Sequence, residues 1–176
     1  MRFNTMPSNA LRAKTAASDL LDSIMHLIKA PPVNLRIICD HLGIEVYAMP
    51  CETFGAIFTC SRHGGKKFLL ANNRLPQGRF RFSIAHELGH VLLNHEPLKH
   101  IYEQRKPAIE RQADSFAAEL LLPERFLRGD CADYTMPELA KRYKVSRQSL
   151  ELQLSNLGLT PKDRRSAVWE NTISTK

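Results

Sequence analysis

Two histidines and a glutamate interrupt an apolar stretch in the segment RFSIAHELGHVLLNH, which covers residues 81–95. If this segment is a helix, His86 and His90 lie one turn apart on the same face, and both imidazoles can reach one cation. Glu87 lies about 100° round the helix from His86, too far round to be a third ligand. From there it can take a proton from a water molecule that attacks a peptide bond. The H-E-x-x-H pattern therefore predicts His86 and His90 as zinc ligands and Glu87 as a general base.

A catalytic zinc needs a third protein ligand and an open coordination position. Glu110 lies twenty residues after His90, in the segment E-R-Q-A-D, and Asp114 follows it by one helical turn. The alternative is that both carboxylates belong to a solvated face, but beside the H-E-x-x-H pattern we favour Glu110 as the ligand. Asp114, on the same face, can then accept the N–H of a ligating histidine, and His86 is the expected donor. Two histidines and one carboxylate with open positions also suit Mn²⁺ or Fe²⁺.

Gly89 occupies the middle of the predicted zinc-binding helix, where glycine destabilises a helix by roughly 1 kcal/mol relative to alanine. One interpretation is that a strand or the backbone of a substrate passes close to the helix at this point. The other is that the helix packs tightly on a sheet. The sequence does not decide between them.

Hydrophobic spacing and turn residues predict the elements that must position these side chains. Helical periodicity gives way to strand patterns after Gly43 and returns after Gly78. The tail again has helical signals, a capping box at Thr135–Glu138 and a glycine terminator at Gly158. In chain order we expect a helix over 17–28, a helix over 34–43, strands over 44–49, 55–60 and 66–71, a loop over 71–78, the zinc-binding helix from 81 or 83 to about 96, a helix from 107 to about 123, and helices over 135–143 and 146–158.

The bulk composition fits one globular domain. The 176 residues are 43% hydrophobic and 24% charged, and the net charge is +7. That charge favours an anionic partner, either nucleic acid or an acidic protein surface. None of the four cysteines forms a C-x-x-C pair, so a thiolate zinc site is not expected. No apolar run approaches the roughly 18 residues of a membrane span, and no signal peptide is recognisable, so we expect a cytoplasmic protein without a membrane partner.

The segment LAKRYKVSRQSLELQLSNLGL, residues 139–159, is typical of a helix-turn-helix. Polar residues open its second helix and could reach base edges, while basic residues before them could contact phosphate. These candidate contacts to nucleic acid or to a protein partner are Lys141, Arg142, Lys144, Arg147 and Gln148. Glu151, near the start of the second helix, would repel phosphate. We therefore favour a role in covering the core or docking a partner protein, and DNA binding stays the alternative.

Three segments resemble the ImmA/IrrE-type metallo-endopeptidases in order and spacing over about residues 17–160. They are RFSIAHELGHVLLNH, IERQADSFAAELLLP and the helix-turn-helix segment. The family often places a histidine one residue earlier than His95, after the H-E-x-x-H pattern. The resemblance implies an α+β fold, in which a small zincin-like core with a short antiparallel sheet packed on helices precedes a helical extension.

The resemblance also implies a site and a substrate. His86, His90 and Glu110 would hold one Zn²⁺ per chain, Glu87 would be the catalytic base, and the substrate would be a helix-turn-helix transcriptional repressor. Two other hypotheses stay open, a DNA-binding regulator and a toxin–antitoxin partner with a non-proteolytic zinc site. The expected organisation is a mobile N-terminus over 1–15, a metallopeptidase core over 16–129, a helix-turn-helix-like extension over 130–162 and a flexible tail over 163–176.

Overall fold

Helices and one small sheet make up the part of the chain that the structure describes. The structure is a computed structural model, and it describes residues 9–52, 54–60, 65–95 and 106–162. In these ranges no helix combines the length and the apolar character needed to cross a bilayer. The helices are α1 (Asn9–Ser23), α2 (Leu35–His41), α3 (Gln77–Leu92), α4 (Pro107–Leu121), α5 (Glu124–Asp133), α6 (Met136–Tyr143) and α7 (Arg147–Leu157), and the strands are β1 (Ile44–Met49), β2 (Ala56–Cys60) and β3 (Lys67–Asn72).

The sheet has the strand order β1-β3-β2. The predicted hairpin is confirmed, since β2 and β3 are antiparallel with Ala56 opposite Ala71. β1 runs parallel to β3, with Ile44 opposite Lys67, so the sheet is mixed and not wholly antiparallel as expected. β3 takes the central position because its Leu69 and Ala71 are fully buried, while β1 is largely exposed. β2 is left at the edge of the described sheet, where it contacts α3.

The N-terminal helix is longer at its start than the sequence pattern suggested. α1 begins at Asn9 and not at Ala17, so residues 9–15 are helical where we expected a mobile segment. The physical reason lies in Ala13, which is fully buried one turn before Ala17 in the core that α1 forms with α4. The rest of the expected mobile N-terminus, residues 1–8, and the expected flexible tail over 163–176 lie outside the described residues.

The expected boundary between core and extension falls inside a helix. α5 spans residues 124–133, and no sequence signal had indicated it. The buried carboxylate of Glu119 caps this helix by accepting the backbone N–H of Glu124 at 3.1 Å. Further along, the fully buried Tyr143 of α6 donates its hydroxyl to Asp130 of α5 at 2.8 Å. The extension is thus joined to the core through α5 without a linker.

The first turn of α3 packs against the turn between α6 and α7. α3 begins at Gln77, after Pro76, and so includes residues that we had expected in a loop. A Cβ atom on Gly78 would lie 2.7 Å from the backbone nitrogen of Ser146, so only glycine fits this contact. Ser146 in turn caps α7 by accepting the N–H of Ser149. The close contact fixes the start of α7 beside the helix that carries the H-E-x-x-H pattern.

Candidate metal centre

Gly89 sets the distance between α3 and α4. A Cβ atom on Gly89 would lie 3.1 Å from a ring carbon of Phe116 and 3.2 Å from the Cα atom of Ala113, both on α4. The close neighbour of Gly89 is therefore the helix α4. It is neither the sheet nor a passing strand, which were the neighbours that the sequence suggested. Because the two helices touch here, the α4 turn that carries Glu110 and Asp114 lies against the α3 turn that carries the histidines.

Three predicted ligand atoms converge between these helices. The Nε2 atoms of His86 and His90 lie 3.0 Å apart, and the carboxylate oxygens of Glu110 lie 3.1 Å from the first and 3.4 Å from the second. Ligand atoms bound tetrahedrally to zinc at 2.0–2.1 Å are separated by about 3.3 Å. Two imidazole nitrogens that face each other and a carboxylate also need a proton or a cation between them. The donor set and its spacing therefore fit a divalent cation.

Asp114 holds the other side of the His86 ring. Its carboxylate lies 2.9 Å from Nδ1 of His86, the contact that the helical spacing predicted. Burial alone lowers the pKa of His86, but the hydrogen bond to Asp114 and the charges of Asp114, Glu87 and Glu110 outweigh it and raise that pKa above its ordinary value. When Nδ1–H of His86 donates to the Asp114 carboxylate, the ring is held in the tautomer in which Nε2 is free to bind a metal. The surroundings of His86 thus favour positive charge.

His95 holds the ring of His90, a role that its position in the sequence did not indicate. Its Nδ1 lies 2.9 Å from Nδ1 of His90. α3 ends in a tight turn in which Asn94 has a φ of 55° and the backbone N–H of His95 donates to the carbonyl of His90 at 2.9 Å. Asparagine tolerates this left-handed conformation better than most residues. The signal in the sequence was therefore Asn94 itself, two residues past the end of the helix.

Replacing His95 with Ala is expected to weaken zinc binding about 10- to 100-fold, because the ring of His90 loses the group that orients it. His95→Gln should keep part of the affinity, since its amide can still reach Nδ1 of His90. Competition with a colorimetric chelator measures the zinc affinity directly, without any assay of activity. Equal affinity of the wild-type protein and His95→Ala would exclude this orienting role.

Glu87 lies at a cleft between α3 and the edge strand. It is only 7% exposed. With His86 and Ser83 from α3 and Gly55 and Ala56 from the start of β2, it lines a cavity of about 270 Å³. The site therefore places a buried carboxylate next to a candidate metal ligand and beside a strand edge, where an extended peptide could lie.

Of the five residues predicted to contact nucleic acid or a partner, four are exposed and Arg142 is partly buried. Arg142 is held by Asp130 at 2.8 Å and lies over the ring of Tyr134. Arg147 pairs with Glu151 one turn along α7 at 2.7 Å. The other three residues are Lys141, Lys144 and Gln148, and Gln148 lines a cavity next to α4.

Comparisons with known proteins agree with the resemblance seen in the sequence. A transcriptional regulator of Mycobacterium tuberculosis has a similar fold, with a TM-score of 0.53 and 18% identity over 92% of this chain and 50% of that one. This chain spans half the length of that regulator, and the likeness shows the fold. No curated protein matches the chain. The family model of Peptidase M78, the IrrE N-terminal-like domain, matches residues 39–155 and includes every residue of the candidate metal centre. The chain therefore belongs to the Peptidase M78 family of IrrE N-terminal-like domains, the ImmA/IrrE family.

Proposed function

We propose that this protein is a zinc-dependent endopeptidase. The observation that carries the proposal is the convergence of two imidazole nitrogens and the Glu110 carboxylate within 4.8 Å of one another, next to the buried carboxylate of Glu87. The donor set of two histidines and one carboxylate is that of a catalytic zinc site with an open position. Mn²⁺ and Fe²⁺ suit the same donors, so the identity of the metal as zinc is itself part of the proposal.

The residues divide the chemistry among them. His86, His90 and Glu110 would hold the metal, and Asp114 and His95 would keep the two rings in place. A zinc ion bound there would supply a Lewis acid beside the scissile carbonyl. Glu87 takes a proton from the attacking water and then delivers it to the leaving amine. Its burial in the cleft between α3 and β2 keeps this carboxylate in one position during both transfers.

The substrate would lie along the edge of the sheet. Among the described residues β2 is an edge strand, and the cleft that holds Glu87 begins at Gly55 and Ala56. An extended segment could pair with this edge as an added strand, with its backbone held by hydrogen bonds. A linker between two domains of a helix-turn-helix repressor is such a segment, and its cleavage would separate DNA binding from dimerisation. We propose a repressor of this kind as the substrate.

Metal analysis of the purified protein tests the site. The wild-type protein should carry one equivalent of zinc, and His90→Ala should lose it because two donors do not retain the ion through purification. His41→Ala, which removes an exposed histidine at the end of α2, is the control and should keep the zinc. Full zinc occupancy in His90→Ala would exclude the proposed ligand set.

Cleavage is tested by co-expressing the protein with candidate helix-turn-helix repressors. A repressor fragment that forms only with the wild-type protein, and whose formation stops when zinc is chelated from the purified mixture, supports the proposal. A toxin–antitoxin role with a non-proteolytic zinc site predicts a stable complex with an uncleaved partner instead. The two outcomes are distinguished by the mass of the partner.

DNA binding through α6 and α7 is the competing proposal, supported by the exposed Lys141 and Lys144 and by the net charge of +7. The ion pairs of Arg142 with Asp130 and of Arg147 with Glu151 speak against it, because both arginines would have to leave a carboxylate to reach a phosphate. Binding of the full chain to duplex DNA that weakens steeply with salt and with Lys141→Ala would favour this alternative.

A further inference from the structure

A second cavity lies on the far side of Phe82 from the catalytic cleft. It has a volume of about 250 Å³ and is formed by α4 and α7, with contributions from α1 and α3. The residues that matter here are Lys14, Phe82, Asp114, Ala118, Gln148 and Leu152. The C-terminal extension therefore builds one wall of a cavity in the core, which the sequence had not indicated.

The cavity is next to the candidate metal centre, and two residues link them. Phe82 lines both this cavity and the cleft that contains His86 and Glu87. Asp114 lines the cavity with one side of α4 and contacts Nδ1 of His86. A peptide that crosses the cleft at Glu87 would thus carry a neighbouring residue over Phe82 and into the cavity.

The walls of the cavity are suited to an apolar side chain. Phe82, Ala118 and Leu152 give it mostly carbon surface. Leu152 is 63% exposed, whereas Leu150 and Leu154 of α7 are buried, so the side chain of Leu152 is available to a ligand. The cavity is smaller than the roughly 300–1,000 Å³ of pockets for drug-sized ligands, and it has room for one large amino-acid side chain.

We propose that this cavity is a specificity subsite that takes one large apolar side chain of the protein substrate, close to the scissile bond, and that α7 supplies its outer wall through Leu152. The inference rests on the proposed function, since it describes how the same catalytic centre selects a peptide. It also gives the helix-turn-helix-like extension a role in substrate recognition. The close contact of Gly78 with Ser146 is consistent with this role, because it holds the start of α7 against α3.

Selection from a library of short random peptides tests the subsite without any need for cleavage. The immobilised full chain carries Glu87→Gln and is loaded with zinc, and the retained peptides are sequenced. They should share a large apolar residue at one position. Adding Leu152→Asp should lower retention of these peptides roughly tenfold, because the apolar wall of the cavity then carries a charge. Ser155→Asp places the same charge on an exposed residue of α7 outside the cavity and should change nothing.

The possible results separate this inference from the proposed function. No shared apolar position, or a preference that survives Leu152→Asp, overturns the subsite. If the selected peptides bind through Leu152 but the zinc-loaded wild-type protein does not cut them, the subsite stands and the peptidase proposal fails. Because Leu152 is exposed, the Leu152→Asp variant should keep the fold of the protein. Far-UV circular dichroism verifies this.

Discussion

Cleavage of a substrate should fall by about two to four orders of magnitude when Glu87 is replaced by Gln, while the zinc content stays at the wild-type level. Glutamine has nearly the same shape as glutamate, so the buried position beside His86 remains filled. It cannot accept the proton of the attacking water, and the step that depends on this transfer slows. The change therefore separates proton transfer from metal binding.

The measurement is the rate of repressor cleavage by the purified protein, together with zinc content by mass spectrometry. Glu119→Gln is a matched control, because Glu119 is also a buried glutamate, with 5% exposure against 7% for Glu87. Its carboxylate caps α5 and lies outside the candidate metal centre. This variant should cleave at the wild-type rate. Equal cleavage by Glu87→Gln and the wild-type protein would end the proposed role of Glu87, and loss of zinc in Glu87→Gln would leave its effect on cleavage without a catalytic interpretation.

The inner part of the site could be predicted from sequence because it obeys helical spacing. His86 and His90 are four residues apart, and so are Glu110 and Asp114, which means that each pair shares a helix face whatever the rest of the fold does. Only the contact between the two helices had to be assumed. The structure supplies it at Gly89, which the sequence marked as unusual without showing its neighbour.

Other features depend on contacts between distant parts of the chain, and spacing does not contain them. His95 reaches His90 through a left-handed turn at Asn94, which breaks the helical period. α5 has only two buried residues, Leu127 and Cys131, and its start is capped by Glu119 from the preceding helix. β1 lies beside β3 because β3 is the buried strand at the centre of the sheet. The same holds for α1, because Ala13 is buried in its first turns while Leu11 is exposed.

Replacing Gly89 with Leu should weaken zinc binding on the order of 100-fold and lower the free energy of unfolding by about 2 kcal/mol. A side chain at this position would press on the backbone of Ala113 and on Phe116, and backbone cannot move aside cheaply. The gain in helix propensity of roughly 1 kcal/mol offsets only part of that cost. As α3 and α4 separate, the carboxylate of Glu110 moves away from both imidazoles. The zinc affinity should therefore fall at least as far as it does when a residue that orients a ligand is lost.

Gly129→Leu is the control, since Gly129 also lies within a helix but a Cβ atom there meets nothing within 4 Å. It should gain up to about 1 kcal/mol of stability from helix propensity and keep its zinc affinity. Gly89→Ala gives a graded test, with a smaller loss in the same direction for zinc. Denaturant unfolding of the metal-free protein and chelator competition measure the two effects separately. If Gly89→Leu were less stable yet bound zinc with unchanged affinity, the close contact of α3 and α4 would serve packing alone, and Glu110 could not be the ligand that this contact brings to the histidines.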